Sequence, residues 1–316
     1  MKLISNYFKA KDNGLTFEQY TSRNFQKLKD RITRKLIFHY IKDENISREV
    51  HSALILKKIY RRYNNCHNKR LPIVENNEWK NKMFPKIIWW CWLQGTDKMP
   101  ELSKICLESL KKNLPTYEIR IITLDNLSSF INLPDVIVKK FNAGWISEAH
   151  FSDIIRLNLL AKYGGIWIDS TVYCTDNKLI KDIEKNNMFV YQNVMTANNS
   201  IIKMSNWLIA TKKNNPYIIE SAKLLTEYYK KSNYVEDYFI CHLIMTVLTT
   251  KYDAIWNEMD VYNNIDPHML QYVLNQPFSE KTFDRILKKA SFHKLNRHIN
   301  FKEGNTFYNY LKKRGA

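Results

Sequence analysis

Ser152-Asp153-Ile154-Ile155-Arg156-Leu157-Asn158-Leu159-Leu160-Ala161-Lys162-Tyr163-Gly164-Gly165-Ile166-Trp167-Ile168-Asp169-Ser170-Thr171 carries more structural information than any other part of this chain. Ser147 is a suitable N-cap. Phe151, Ile154, Ile155, Leu157, Leu159 and Leu160 make the following helix apolar on nearly every side. Asp153 and Arg156 stand three residues apart and therefore share one face of that helix. Gly164 suits the left-handed position past a helix end, and Gly165 permits close approach of another backbone. Ile166, Trp167 and Ile168 then read as a short strand delivering Asp169 to its exit. Open α/β sheets place ligand groups at the carboxyl ends of their strands. A charged pair and an isolated acid in such apolar surroundings predict a site.

The pattern around this stretch is alternating. Lys86 to Trp92 reads as a strand, Pro100 to Asn113 as a helix opening on proline, and Glu118 to Ile122 as the next strand. Leu133-Pro134-Asp135 opens another helix, running to Lys140. This alternation is that of a nucleotide-binding α/β domain, placed at residues 81–316. Residues 1–80 form a basic helical region. Two helices are expected between residues 15 and 63, parted near Asp43-Glu44-Asn45. Phe25, Leu28, Ile32 and Leu36 mark one face of the first. Val50, Leu54, Ile55 and Ile59 do the same in the second, which Ser47 is placed to cap. Asn64 to Glu78 is polar and is expected to link the two regions.

A chain of 316 residues with 45% hydrophobic and 13% aromatic content builds a large core and is not disordered. No apolar run is long enough to span a membrane, and the first residues lack the apolar core of a secretory signal. Five cysteines, at 66, 91, 106, 174 and 241, include no CxxC pair. That fits reduced thiols in a cytosol better than a disulfide framework or a zinc site.

Ser152-Asp153, Arg156, the glycine pair and Asp169-Ser170-Thr171 together resemble the glycosyltransferases of the capsular-polysaccharide-synthesis group. More distantly, they resemble the sugar-transferring domains of the large clostridial toxins and mannosyltransferase-like families. In those families the strand ends in an Asp-x-Asp metal motif. Here Thr171 replaces the second aspartate, a departure common in the capsule group that puts the metal in doubt. The resemblance covers residues 84–175 well and 200–296 in patches. It implies a GT-A fold, a Rossmann-like nucleotide-binding sheet flanked by helices, here with an N-terminal helical appendage. It also implies transfer with retention of anomeric configuration.

Such chemistry must hold a base, neutralise a departing diphosphate and bring an acceptor oxygen to the anomeric carbon. Trp92, at the end of the first catalytic strand, matches the tryptophan that stacks on uracil in the toxin-like relatives; Trp89, Trp90 and Trp92 are also natural core residues. Asp169 is expected to ligate a divalent cation, Mn²⁺ or Mg²⁺, and to act in catalysis. With Thr171 present, the resemblance supplies a second ligand in His293 of Ser291-Phe292-His293-Lys294-Leu295, with Lys294 neutralising phosphate. Asp153 and Arg156 are expected to grip the donor sugar, with Trp167 beside the nucleotide. Asp237 is expected to orient the acceptor or stabilise the anomeric centre, unless it simply begins a helix. Trp207 is expected to form an acceptor platform.

The formal charge is +18, of which residues 1–80 contribute +10, from 18 Lys and Arg against 8 Asp and Glu. The preferred reading is attraction to an anionic membrane face, where each basic residue contributes about 1 kcal/mol, with a solvated basic surface as the alternative. No nucleic-acid-binding motif is present. The expected partners are a nucleotide-sugar donor, foremost UDP-glucose or UDP-galactose, and a lipid-linked glycan acceptor. The expected place is the cytoplasm, at the inner face of the cell membrane. A protein-modifying toxin-like transferase, a basic nucleic-acid-binding protein and a silent scaffold stand as alternatives.

Overall fold

The computed structural model describes residues 2–67, 77–194 and 201–315. Three helices come first: α1 (Lys2–Asp12), α2 (Phe17–Ile41) and α3 (Glu44–His67). A capping box opens α2: Thr16 Oγ1 accepts from the Gln19 N–H, and the Gln19 side chain accepts from the Thr16 N–H. Lys42, with φ 58°, ends it at the expected break. Helix α3 begins before Ser47, because Asp43 takes the N-terminal role and accepts from the Ile46 N–H at 2.8 Å. It also runs to His67, past the expected linker start at Asn64; residues 68–76 of that linker lie outside the described residues.

Phe25, Leu28, Ile32 and Leu36 do share one face of α2, but that face points to solvent. The inward face of α2 carries the buried Asp30 instead. In α3, Ile55 is buried, whereas Leu54 is exposed.

Next come β1 (Ile87–Cys91), α4 (Glu101–Asn113), β2 (Glu118–Ile122), α5 (Leu127–Phe130) and α6 (Asp135–Asn142). The quoted stretch forms α7 (Glu148–Tyr163) and β3 (Gly165–Ile168). After it come β4 (Val172–Cys174), α8 (Lys178–Lys185), β5 (Met188–Gln192), β6 (Met204–Thr211), α9 (Pro216–Lys231) and α10 (Ile240–Leu248). The chain closes with α11 (Asp253–Asn257), α12 (Met269–Val273), α13 (Glu280–Leu287), β7 (Phe292–Lys294) and α14 (Phe307–Gly315).

The fold is α/β, with a five-stranded sheet in the order β2-β1-β3-β6-β5. Strand β1 runs parallel to β2 and β3, while β6 runs antiparallel to β3 and β5. Alternation along β1 sends Trp89 to one face and Trp90 to the other. The Trp89 face packs under α7, α9 and α10, and the Trp90 face under α4 and α8. Helix α3 rests on α10, which ties the N-terminal helices to the sheet domain. Cys91, Cys106, Cys174 and Cys241 are buried free thiols.

Two connections aim the site. Gly164 and Gly165 turn α7 into β3 with φ of +70° and +92°. Gly164 has ψ of −158°, so it adopts an extended conformation nearly reserved for glycine rather than the left-handed helical one. A Cβ on Gly165 would lie 2.6 Å from the Ile87 carbonyl oxygen. The second connection is the two-stranded pairing of β4 with β7, which sets Val172 opposite Lys294 and Tyr173 opposite His293.

Gly165→Ala combines a positive φ with a backbone clash, so it is expected to cost about 3 kcal/mol. Urea unfolding of the purified variant measures this as a lower midpoint.

Candidate active site

At the exit of β3, four charged side chains form one continuous chain. Arg156 donates from Nη1 to Asp153 Oδ1 at 2.7 Å and from Nη2 to Asp169 Oδ1 at 2.8 Å. Trp167 Nε1 donates to the same Asp169 oxygen at 2.9 Å. Lys294 Nζ donates to Asp169 Oδ2 and to Thr171 Oγ1, both at 2.8 Å. Asn206 Nδ2 adds a bond to Asp153 Oδ1 at 2.9 Å. The Arg156 guanidinium lies 4.9 Å from the Trp167 ring centroid, a cation-π contact inside the same cluster.

Local sequence dictates much of this. The three-residue spacing in α7 points Asp153 and Arg156 together, and the glycine turn brings Asp169 back beside them. The register of β4 with β7 then delivers Lys294 over the Asp169-Ser170-Thr171 turn.

Burial and charge act in opposite directions here. Burial pushes Asp153 up to about 6, against the pull of Arg156. Burial also acts to raise Asp169, but the cations of Lys294 and Arg156 outweigh it and hold this carboxyl below its ordinary value. Burial works to lower Arg156; Asp169 and Asp153 reverse that and raise it. His242, behind the cluster, is lowered to about 3 by burial and by Arg156, and so is neutral.

The cluster forms the floor of an open cavity of about 430 Å³. Trp92, Asp153, Arg156, Trp167, Asp169 and Lys294 all line it, so the structure brings together every residue expected to bind a donor. Trp92 lies just past β1, half-buried, with the Arg297 guanidinium 5.3 Å from its ring centroid. Asn206, Tyr238, His242, His268 and Arg297 also line the cavity and were not among the predicted site residues. Strand alternation was the available signal for Asn206, which lies on the opposite side of β6 from Trp207.

Three expected residues are placed elsewhere. His293 is fully buried on the other side of β7 from Lys294, outside the cavity lining, and burial lowers it to about 4. Trp207 is buried, stacked on Tyr191 with centroids 4.6 Å apart, and donates to Asn264 at 3.0 Å; it has no open face for an acceptor. Asp237 is buried too, accepting from Ser52 Oγ at 2.6 Å and from the Phe239 N–H at 2.7 Å. It does not line the cavity, and its contacts anchor the loop on which it lies.

That anchor is a second buried charge cluster. His51 Nε2 lies 2.7 Å from Asp30 Oδ1, and His51 Nδ1 lies 3.8 Å from Asp237 Oδ2. Arg34 and Tyr234 donate to Asp30 Oδ2. The cluster fastens α2 and α3 to the loop that carries Tyr238 into the cavity.

The expected divalent cation does not fit the residues present. Both Asp169 oxygens are taken by cationic or N–H donors, Thr171 accepts from Lys294, and His293 points away. Among the described residues, no group of three or more His, Cys, Asp or Glu side chains is arranged to hold a metal.

The sequence pattern of the family described as "Capsular polysaccharide synthesis protein" matches residues 31–313. The chain belongs to this family. Family and motif together make it a glycosyltransferase, which implies a nucleotide-sugar donor and a glycan acceptor. The match begins inside α2, so it reaches into the N-terminal helices that the motif alone left aside. No curated protein matches the sequence. Among solved structures, one titled "PaToxG Glycosyltransferase" is similar, at 19% identity and a TM-score of 0.35, covering 67% of this chain and 83% of that one. That likeness is too distant to bear on the site.

The Asp30, His51 and Asp237 anchor has a defined pH signature. Burial opposes the His51 charge, but Asp237 and Asp30 outweigh it and raise the imidazole; the same contacts hold both carboxyls below their ordinary values. The raised histidine stabilises fully below its unfolded value near 6.5, and this is lost as pH rises through the folded value. The lowered carboxylates lose their contribution as pH falls through their folded values. His51→Gln is therefore expected to cost about 3 kcal/mol near pH 6 and less towards pH 9. Urea unfolding of both proteins across that range measures the narrowing difference.

Proposed function

We propose that the chain transfers a hexose from a uridine diphosphate sugar to a lipid-linked oligosaccharide in surface-polysaccharide assembly, with retention of anomeric configuration. The observation that carries this reading is the paired chain Asp153, Arg156, Asp169 and Lys294 on the floor of a cavity whose wall holds Trp92. Asp153, Arg156 and Asp169 form the polar side of this cavity, the surface that the donor sugar's hydroxyls would meet. Trp92 offers a flat ring to the base, a contact worth about 1–3 kcal/mol. The family's motif supports the uridine donor and retention, and the excess of basic residues supports work at an anionic membrane face.

In this reading the bond from the anomeric carbon to the diphosphate oxygen breaks, and the diphosphate leaves with the electron pair. The ammonium of Lys294 meets that charge, in the place where Mn²⁺ or Mg²⁺ was expected, and Arg297 lies across the cavity to share it. Fixed cations in a partly dry site stabilise developing charge without reorganising. The acceptor hydroxyl enters from the open side; its oxygen forms the new glycosidic bond, and its proton passes to the departing diphosphate oxygen.

Thermal-shift and hydrolysis measurements against UDP-, GDP- and CMP-sugars, each with Mn²⁺, Mg²⁺ or EDTA, test the proposal. One UDP-hexose is expected to stabilise the protein and release UDP, with turnover persisting in EDTA. Stabilisation by no nucleotide sugar under any condition overturns the donor reading, and strict metal dependence overturns the role given to Lys294. Lys294→Met is expected to lower kcat by about 10²–10³-fold. Protonation of Asp153 removes its ionic bond to Arg156, so donor affinity is expected to fall as pH drops through about 6. That acid limb is expected to vanish in Asp153→Asn.

A further inference from the structure

Helix α2 carries an apolar stripe, each side chain of which is at least half exposed. Phe25, Leu28, Ile32, Leu36 and Tyr40 recur every three or four residues and are 69%, 55%, 50%, 54% and 82% exposed. On a 3.6-residue helix they form one band about 22 Å long. Contiguous apolar surface of this kind on a folded protein marks an interaction site. The opposite side of α2 is already engaged, through Asp30 with His51 and through Arg34, which donates to the Glu236 carbonyl oxygen at 2.5 Å.

Charge identifies the occupant. Helix α2 holds six basic residues, Arg23, Lys27, Lys29, Arg31, Arg34 and Lys35, against Glu18 and Asp30. Asp30 is buried and already paired with Arg34. By helical spacing Lys29 borders the stripe on one side, Arg31 and Lys35 on the other, and all three are exposed. A second copy of the chain would set these cations against their own kind. A bilayer with anionic headgroups offers hydrocarbon to the stripe and negative charge to its borders. No described helix is long and apolar enough to cross a membrane, so contact at the interface is what α2 can provide.

We infer that the exposed face of α2 lies in the headgroup region of an anionic membrane, with its lysines and arginines flanking the inserted stripe. The inference adds a named surface to the proposed membrane-side function and does not depend on the identity of the sugar. It also sets an orientation, because α2 is bonded to the loop that brings Tyr238 to the cavity wall.

Flotation of the full chain with vesicles tests this, using phosphatidylcholine alone or with roughly one-third phosphatidylglycerol, at low and high salt. The wild type is expected to float with the anionic vesicles, weakly at high salt, and to stay behind with the neutral ones. The triple variant Leu28→Gln, Ile32→Gln, Leu36→Gln is expected to lose at least about 10-fold in vesicle affinity. Lys29→Glu with Lys35→Glu is expected to lose a similar factor at low salt. All five side chains are exposed, so both variants are expected to keep the wild-type thermal midpoint and donor hydrolysis. Failure of the wild type to float, or unchanged flotation of the triple variant, overturns the inference. A lipid-free dimer in sedimentation that the triple variant abolishes also overturns it, assigning the stripe to a second copy. Failed flotation with intact donor hydrolysis leaves the enzyme reading standing, and absent hydrolysis with normal flotation does the reverse.

Discussion

A guanidinium withdrawn from water beside a tryptophan ring requires carboxylates on more than one side, and Arg156 has Asp153 and Asp169. Desolvating each ion costs several kcal/mol, which an ion pair recovers only with good geometry and further hydrogen bonds. The surroundings meet that condition. Asn206 completes Asp153, Trp167 Nε1 completes the inner oxygen of Asp169, and Lys294 takes the outer one. Each partner comes from a different element, so α7, β3, β6 and β7 are all held to this cluster. Replacing such a buried ionic cluster by apolar residues of similar volume often costs no stability, so chemistry is the better explanation of the charges than folding.

How much of this was legible depends on sequence distance and on the two-residue period of strands. Asp153, Arg156 and Asp169 lie close in sequence on a helix, a glycine turn and a strand, each with a local signal, and their convergence could be read directly. Lys294 lies far along the chain and reaches the cluster only through the β4 to β7 register, so only family resemblance could suggest it. The same resemblance suggested His293, but neighbouring strand residues face opposite ways, and one side chain of the pair had to be turned inward. Trp207 and Asn206 divide in the same manner on β6. The partners of Asp237 were illegible for another reason: Ser52 and His51 come from α3, and no local pattern announces a pairing over such a separation.

Helix α2 shows a different limit. Periodicity identifies an apolar face but carries no information about what covers it. The default expectation of a core-facing stripe fails here, because the packed side of α2 is held by Tyr20 at its start and by Asp30, Arg34 and His51 further along. A buried ionic contact therefore frees the apolar side for another use.

The replacement of the second motif aspartate by Thr171 then has an electrostatic explanation. Two carboxylates with one divalent ion sum to zero, and so does Asp169 with the single positive charge of Lys294. A second aspartate at position 171 would leave this lysine with one negative charge too many until a metal arrived. Threonine instead gives the ammonium a neutral acceptor at 2.8 Å and fixes its direction without altering the charge. Asp153 and Arg156 balance in the same way, so the floor of the cavity is neutral before any donor enters. Two further cations, Lys294 and Arg297, face the cavity and are available to the phosphate of the proposed donor.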